Sequence, residues 1–207
     1  MILESYNSEQ TLPDGASQND TYKMLEMIAE SSNISDGEEI RWFAGGKGND
    51  KLQHQRQMRQ HMEAYYFLDR HNNINYNIVL EAHGILMKDA TYEDAESLRH
   101  IIDTYNNSSK DEVVVAPTLF CYEILTLHPF ENGNGRLARL LLTWALRQAG
   151  VPFPIPLSSG HRKSRSHYMR AILRARIGAL QEFNTLTLLS VLRVVANYTE
   201  KYRILHS

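Results

Sequence analysis

The sequence predicts a mainly α-helical fold. In several segments apolar residues recur three and four positions apart, whereas long stretches of strict two-residue alternation and internal repeats are absent. The chain has 207 residues, of which 43% are apolar and 22% are charged. These fractions are close to the average of globular domains, so collagen-like, coiled-coil and disordered classes of protein are excluded.

The first 70 residues are predicted to form an arm and a helical region. Residues 1–20 are polar and rich in turn-forming residues, so we expect a flexible N-terminal arm. A helix is predicted over 21–30 from apolar residues at helical spacing, and another over 51–68, a Gln- and Met-rich stretch that HNNINYN ends. We expect this region, residues 21–70, to pack on a core domain of residues 71–207.

The first half of the core is predicted to contain three helices. Over 77–87 one helical face is apolar, made of Ile78, Val79, Ala82, Ile85 and Leu86. A short helix is expected over 99–105. Pro117 suits the first turn of a third helix, which runs to His128. Its buried face is expected to comprise Leu119, Phe120, Ile124, Leu125 and Leu127.

The second half is predicted to contain three more helices. One begins near Arg136 and stops at Gly150, before Pro152. Its inward residues are expected to be Leu137, Leu140, Leu141, Trp144 and Ala145. Residues 151–160 hold three prolines and predict an extended connector. Helices over 166–178 and 187–201 complete the chain.

Cysteine content and hydropathy predict a cytoplasmic protein without a membrane partner. Cys121 is the one cysteine, which excludes an internal disulfide and a Cys-based zinc site and favours a reducing compartment. No apolar run approaches 18 residues, and the start MILESYNSEQ lacks the basic and apolar regions of a signal peptide.

Charge is divided unevenly along the chain. Residues 1–131 hold 22 acidic and 10 basic residues, whereas residues 132–181 hold no acid and nine bases. Such a stretch predicts either an anion-binding surface or a solvated basic surface offset by the acidic half. Aromatic residues are not interleaved with these bases, so nucleic acid is not expected as the partner.

The loop before the second-half helices combines three features that suit phosphate chemistry. Gly133, Asn134 and Gly135 stand at a predicted helix start, where backbone N–H groups and the helix dipole favour an anion. Arg136 and Arg139 lie three residues apart, and each can bind phosphate oxygens as a fork. His128 is a candidate general base.

Each feature alone has an ordinary explanation: a turn, a solvated arginine pair and a helix-capping histidine. Together and in this order they indicate a phosphoryl- or nucleotidyl-transfer site.

At these residues the sequence resembles the Fic (filamentation induced by cAMP) family. The family motif H-x-F-x-[DE]-[GA]-N-[GK]-R-x-x-R corresponds here to HPFENGNGRLAR, residues 128–139, and one defined position differs. The resemblance extends more weakly over residues 78–179.

The resemblance implies a helical core of about six to eight helices with a short β-hairpin flap, which follows the helix NIVLEAHGILM. It also implies transfer of AMP from ATP to a Ser, Thr or Tyr hydroxyl of a target protein. The sequence does not decide between a monomer and a homodimer.

The family roles carry over to matching positions. His128 would take the proton of the hydroxyl, and Phe130 would anchor the loop. Gly133, Asn134 and Gly135 would cradle the α- and β-phosphates, and Arg136 would hold the β-phosphate. Arg139 would meet the γ-phosphate or an inhibitory glutamate. Tyr168 would pack on the adenine or, equally, be a plain core residue.

Asn132 is the position that departs from the motif. The family has an acid there, which binds the Mg²⁺ that bridges the α- and β-phosphates, and an amide is a poorer ligand for that ion. Two alternatives to protein adenylylation therefore remain: a nucleotide-binding module with little or no transfer, and a transferase for another phosphate-containing donor.

The family's inhibitory helix, [ST]-x-x-x-E-[GN], is completed nowhere in this chain. The nearest strings begin at Ser5 and Ser35. An inhibitor would therefore be degenerate or lie on a separate chain.

Overall fold

The computed structural model describes residues 48–87, 95–109, 111–157 and 162–205. In these ranges the chain is mainly α-helical, as predicted, and contains no sheet. The seven helices are α1 (Gly48–Asp69), α2 (Tyr76–Met87), α3 (Ala95–Asn106), α4 (Val115–Leu127), α5 (Asn134–Gln148), α6 (Arg162–Arg176) and α7 (Leu180–Leu205). The predicted arm, the helix over 21–30 and the flap expected after residue 87 lie outside the described residues.

Helix α5 lies at the centre of the fold and packs against α1, α2 and α4. Every residue from Leu137 to Leu146 is buried except Arg139, which is half-buried. A helix that buries apolar residues on most of its sides is stable only when other helices surround it. The N-terminus of α5, with its loop, is therefore held from several directions.

Aromatic residues connect α3, α4 and α5. The Tyr105 ring stacks on Phe120 with 4.5 Å between centroids, and the edge of Trp144 lies 5.8 Å away. Trp144 Nε1 donates a hydrogen bond of 2.8 Å to the His71 carbonyl, in the turn after α1. This hydrogen bond orients the indole and connects α5 to the turn after α1.

Cys121 belongs to this core. It is fully buried in α4, and burial raises the pKa of its thiol to about 12. A neutral thiol without access to solvent is unreactive, and Cys121 serves packing.

The end of α5 agrees with the prediction, but its start does not. Gly150 adopts a left-handed φ of 92°, and the Val151 N–H donates to the Leu146 carbonyl, which closes the helix as a glycine cap. The helix begins at Asn134, two residues before the predicted start, because Gly133 already acts as its N-cap.

The predicted inward face of α2 is partly correct. Val79, Ala82 and Leu86 are buried, whereas Ile78 and Ile85 are half-buried. His83 takes a buried position that the apolar pattern did not assign to it.

Within the described ranges, no helix combines the length and the hydrophobicity that crossing a bilayer requires.

Candidate active site

His128 stands directly after α4 in a strained backbone conformation. Its φ of 54° and ψ of 53° are left-handed, and it is the one non-glycine residue with positive φ in the described part of the chain. Its N–H donates to the Ile124 carbonyl, so the strained residue also closes the helix. The side chain is exposed. Strain at an exposed histidine is typical of a functional position.

Asn134 holds the loop together from inside. Its Oδ1 accepts the Phe130 N–H at 3.1 Å, and its Nδ2 donates to the Phe130 carbonyl at 2.5 Å. These two bonds fix which end of the amide is which. The same Nδ2 lies 3.2 Å from His128 Nδ1 and 3.3 Å from Nε2. Because an amide N–H only donates, it meets a ring nitrogen that carries a lone pair.

Phe130 anchors the loop in the core, as the family resemblance implies. Its side chain is 2% exposed and stacks on the His83 ring at 3.6 Å, with 14° between planes. His83 Nε2 also lies 2.8 Å from the Asn132 carbonyl. Burial lowers the pKa of His83, with a smaller lowering from Arg136, while the bond to Asn132 opposes both. The ring is therefore neutral at neutral pH.

Gly133 is the N-cap of α5, and its φ of 80° is left-handed. A Cβ there would lie 2.6 Å from Met87 Sδ and 3.2 Å from His83 Nε2. A residue other than glycine would be strained by its backbone and crowded by α2. In the described part of the chain, no side chain caps this helix start, which suits an anion site at backbone N–H groups.

Arg136 and Arg139 lie one turn apart behind the loop. Arg136 is 8% exposed, and its Nη2 donates to Met87 Sδ at 2.8 Å. Arg139 is half-buried, with its guanidinium 6.0 Å above the Tyr168 ring. The buried Arg136 and the half-buried Arg139 create a positive potential at the N-terminus of α5.

The effect of this potential is visible at His61 in α1. Burial, followed by the charges of Arg139 and Arg136, lowers the pKa of His61 to about 3. A neutral histidine in this place avoids adding a buried cation beside Arg136 and Arg139.

Tyr168 is buried at 3% exposure, and its ring also meets Phe183 at 6.1 Å. It therefore forms part of the core and lies beside Arg139. Packing of Tyr168 on the adenine stays a prediction, because a buried ring can still present one edge to a nucleotide.

Asn132 and Glu131 form the exposed tip of the loop. No three His, Cys, Asp or Glu side chains come together as a metal site in the described ranges. Mg²⁺ usually keeps several waters and binds one or two protein oxygens plus substrate phosphates. The amide oxygen of Asn132 fits a metal that the nucleotide brings, but not a site made by the protein alone.

The structure brings the predicted site residues together around the start of α5: His128, Asn132, Gly133, Asn134, Gly135, Arg136 and Arg139. Tyr168 contacts this group through Arg139. The sequence interpretation missed His83, Met87 and His61. A histidine within the apolar pattern of α2 was the available signal for His83.

A titration of stability is expected to report the neutral His61. The unfolded chain binds a proton at the ordinary pKa of 6.5, whereas the folded protein binds it only near 3. The free energy of unfolding should therefore fall as pH drops below about 6.5, by up to about 1.4 kcal/mol per pH unit. Urea unfolding of wild type and His61→Gln across this range measures the difference, and the variant should show the flatter curve.

Parallel curves for wild type and His61→Gln would contradict a neutral His61.

Comparison with known proteins finds similarity to one family. Residues 51–146 match the family model of the Fic/DOC family. The chain is 31% identical over 107 residues to "Protein adenylyltransferase fic-1" of Caenorhabditis elegans, covering 51% of this chain and 19% of that protein. It is 31% identical over 112 residues to "Protein adenylyltransferase Fic" of Nematostella vectensis, covering 51% and 23%. The chain thus spans about a fifth of the length of these relatives.

Solved structures show the same fold. The C. elegans Fic-1 fragment of residues 134–508 superposes with a TM-score of 0.72 at 21% identity, covering 98% of this chain and 63% of that one. A Fic domain containing signaling protein from Bacteroides thetaiotaomicron gives 0.60 at 17% identity, covering 96% and 81%. The match to the family model over residues 51–146 and the loop from His128 to Arg139 support a Fic domain in this chain, and the solved structures show the shared fold.

Proposed function

We propose that this protein is an adenylyltransferase that moves AMP from ATP to a hydroxyl side chain of a target protein. One observation carries the proposal. An exposed histidine, held by Asn134, stands beside an uncapped helix N-terminus with two arginines behind it. The names of the relatives, which are protein adenylyltransferases, support the same activity.

The reaction assigns one task to each part. The hydroxyl oxygen attacks the α-phosphorus, the bond from that phosphorus to the bridging oxygen breaks, and pyrophosphate leaves. The hydroxyl proton goes to His128. The N-terminus of α5 would bind phosphate oxygens, and Arg136 and Arg139 would balance the charge of the leaving group.

The Asn134 contact bears on the proposed role of His128 as a base. Asn134 Nδ2 lies 3.2 Å and 3.3 Å from the two ring nitrogens, so its N–H can donate to the lone pair of one of them. A target hydroxyl that approaches the exposed ring would take the place of the amide donor and find the lone pair oriented. Bound Mg²⁺, with Asn132 among its ligands, would neutralise phosphate charge.

Transfer is tested directly with α-labelled ATP and Mg²⁺. Intact mass spectrometry of the protein and of target candidates should show the added mass of AMP. A panel of other phosphate-containing donors tests the alternative that ATP is not the donor. ATP binding without transfer to any acceptor would favour the binding-module alternative, for which the neutral Asn132 is the specific observation.

The substitution Asn132→Asp is expected to lower the Mg²⁺ concentration for half-maximal transfer and to raise the rate. A carboxylate brings a full charge to a hard cation, whereas an amide brings a dipole. Asn132 is exposed, so the new charge causes no burial cost. Titration of Mg²⁺ against the transfer rate measures both quantities.

Glu131→Gln is the matched control, since it removes a charge from the neighbouring exposed position. If Glu131 is the ligand, that variant loses Mg²⁺ affinity and Asn132→Asp gains none, which would contradict the role of Asn132.

A further inference from the structure

Two side chains of α2, His83 and Met87, lie one helical turn apart and contact the loop and the start of α5. His83 contacts Phe130 by stacking and Asn132 by a hydrogen bond, and Met87 accepts a hydrogen bond from Arg136. Residues four apart lie on the same helical face, so one face of α2 contacts both the loop and the first turns of α5.

The contact between His83 and Asn132 determines the tautomer of the ring. A carbonyl oxygen only accepts, so Nε2 must carry the proton. The ring is 1% exposed, and its Nδ1 is buried without a hydrogen-bond partner among the described residues. A phenylalanine would fill the same space and stack on Phe130 without this unpaired nitrogen. The donor at Nε2 is therefore what histidine adds.

The orientation of one peptide plane follows from this bond. The Asn132 carbonyl and the Gly133 N–H belong to the same trans peptide and point in opposite directions. Since His83 draws the carbonyl toward α2, the Gly133 N–H points away from α2. Glycine tolerates both signs of φ, so this peptide could otherwise rotate at low cost and turn its carbonyl to the other side.

We propose that His83 is a positioning residue that locks the 132–133 peptide with its N–H directed toward the phosphate-binding side of the loop. The inference rests on the proposed function, which gives ATP as the nucleotide. It concerns the binding of ATP and not the transfer of AMP. A rotated peptide would present a carbonyl oxygen to an anion, and binding would weaken.

The test compares His83→Phe with a matched histidine elsewhere. His83→Phe keeps a stacking ring and removes only the donor. We expect roughly tenfold weaker ATP binding by calorimetry, the loss of one hydrogen bond to the loop. His83→Gln, whose amide can donate again, should recover part of the affinity although it does not stack. Inorganic pyrophosphate serves as the second probe and should weaken in parallel.

His71 is the control. Its ring also contacts a backbone carbonyl, that of Phe67 at 2.8 Å, and also packs on an aromatic ring, but it lies away from the loop. His71→Phe should change thermal stability without changing ATP affinity. Nitrogen-15 NMR of the wild-type histidines should show His83 protonated at Nε2.

Three results would overturn the inference: unchanged ATP and pyrophosphate affinity in His83→Phe, an equal loss in His71→Phe, or a His83 ring protonated only at Nδ1. A wild-type protein that binds neither probe would overturn it as well. Failure of the proposed function appears differently, as a wild type that binds ATP but transfers AMP to no acceptor.

Discussion

His128→Ala is expected to reduce AMP transfer by about 10² to 10⁴-fold while ATP affinity stays nearly unchanged. A positioned general base typically contributes this much to a rate. The exposed ring contacts Asn134, but the groups proposed to bind phosphate belong to the start of α5, which the substitution leaves intact. Single-turnover transfer from labelled ATP measures the rate, and calorimetry measures the affinity.

A second variant separates chemistry from backbone strain at this position. Asparagine adopts left-handed φ more readily than alanine, so His128→Asn should fold well and still lack the base. His167→Ala, which removes another exposed histidine, is the control and should transfer AMP at the wild-type rate. If His128→Asn retained most of the wild-type rate, His128 would not be the base.

Arg136→Ala is expected to weaken ATP binding by about 1.5 to 3 kcal/mol, the usual contribution of a charge-assisted contact. Arg136 is also buried and bonded to Met87, so we expect a lower melting temperature. Arg136→Lys should restore part of the ATP affinity, because it keeps the charge but not the planar fork. Calorimetry and thermal unfolding measure the two effects.

Arg176→Ala tests whether ATP binding depends on this particular arginine. Arg176 lies in the same basic stretch of the sequence, but it is exposed in the last turn of α6. An equal loss of affinity in both variants would show that a diffuse positive field binds the nucleotide. The prediction of a specific contact between Arg136 and ATP would then be wrong.

The candidate site could be predicted from the sequence because its parts are contiguous. His128, Phe130 and the residues from Gly133 to Arg139 occupy one loop and the helical turn that follows. Helical spacing also identified the inward face of α5 correctly, since this helix is buried along its length. Local patterns are sufficient where the structure is local.

The contacts between α2 and the loop could not be predicted in the same way. His83 and Asn132 are 49 residues apart, and no periodic pattern in one sequence links them. A histidine within an apolar face looks like an isolated polar residue until the packing of α2 against α5 is known. The pKa of His61 likewise depends on its burial among other helices and then on the arginines of α5.

Helix ends were the other weakness. Helices α6 and α7 are longer than the apolar pattern predicts, because α6 begins in polar residues and both end turns of α7 are rich in them. Charged and polar residues can continue a helix whose apolar face packs elsewhere, so the pattern underestimates its length.

The close approach of Gly133 to α2 restricts which substitutions this protein can accept during evolution. Every missense change of a glycine codon adds at least a Cβ, and at this position that atom meets Met87, which cannot withdraw without releasing Arg136. At Gly84 the space around an added Cβ is empty and the backbone is helical, so alanine is admissible there. Two glycines of one short chain thus differ sharply in the genetic variation that they tolerate, and drift in the loop must leave position 133 untouched.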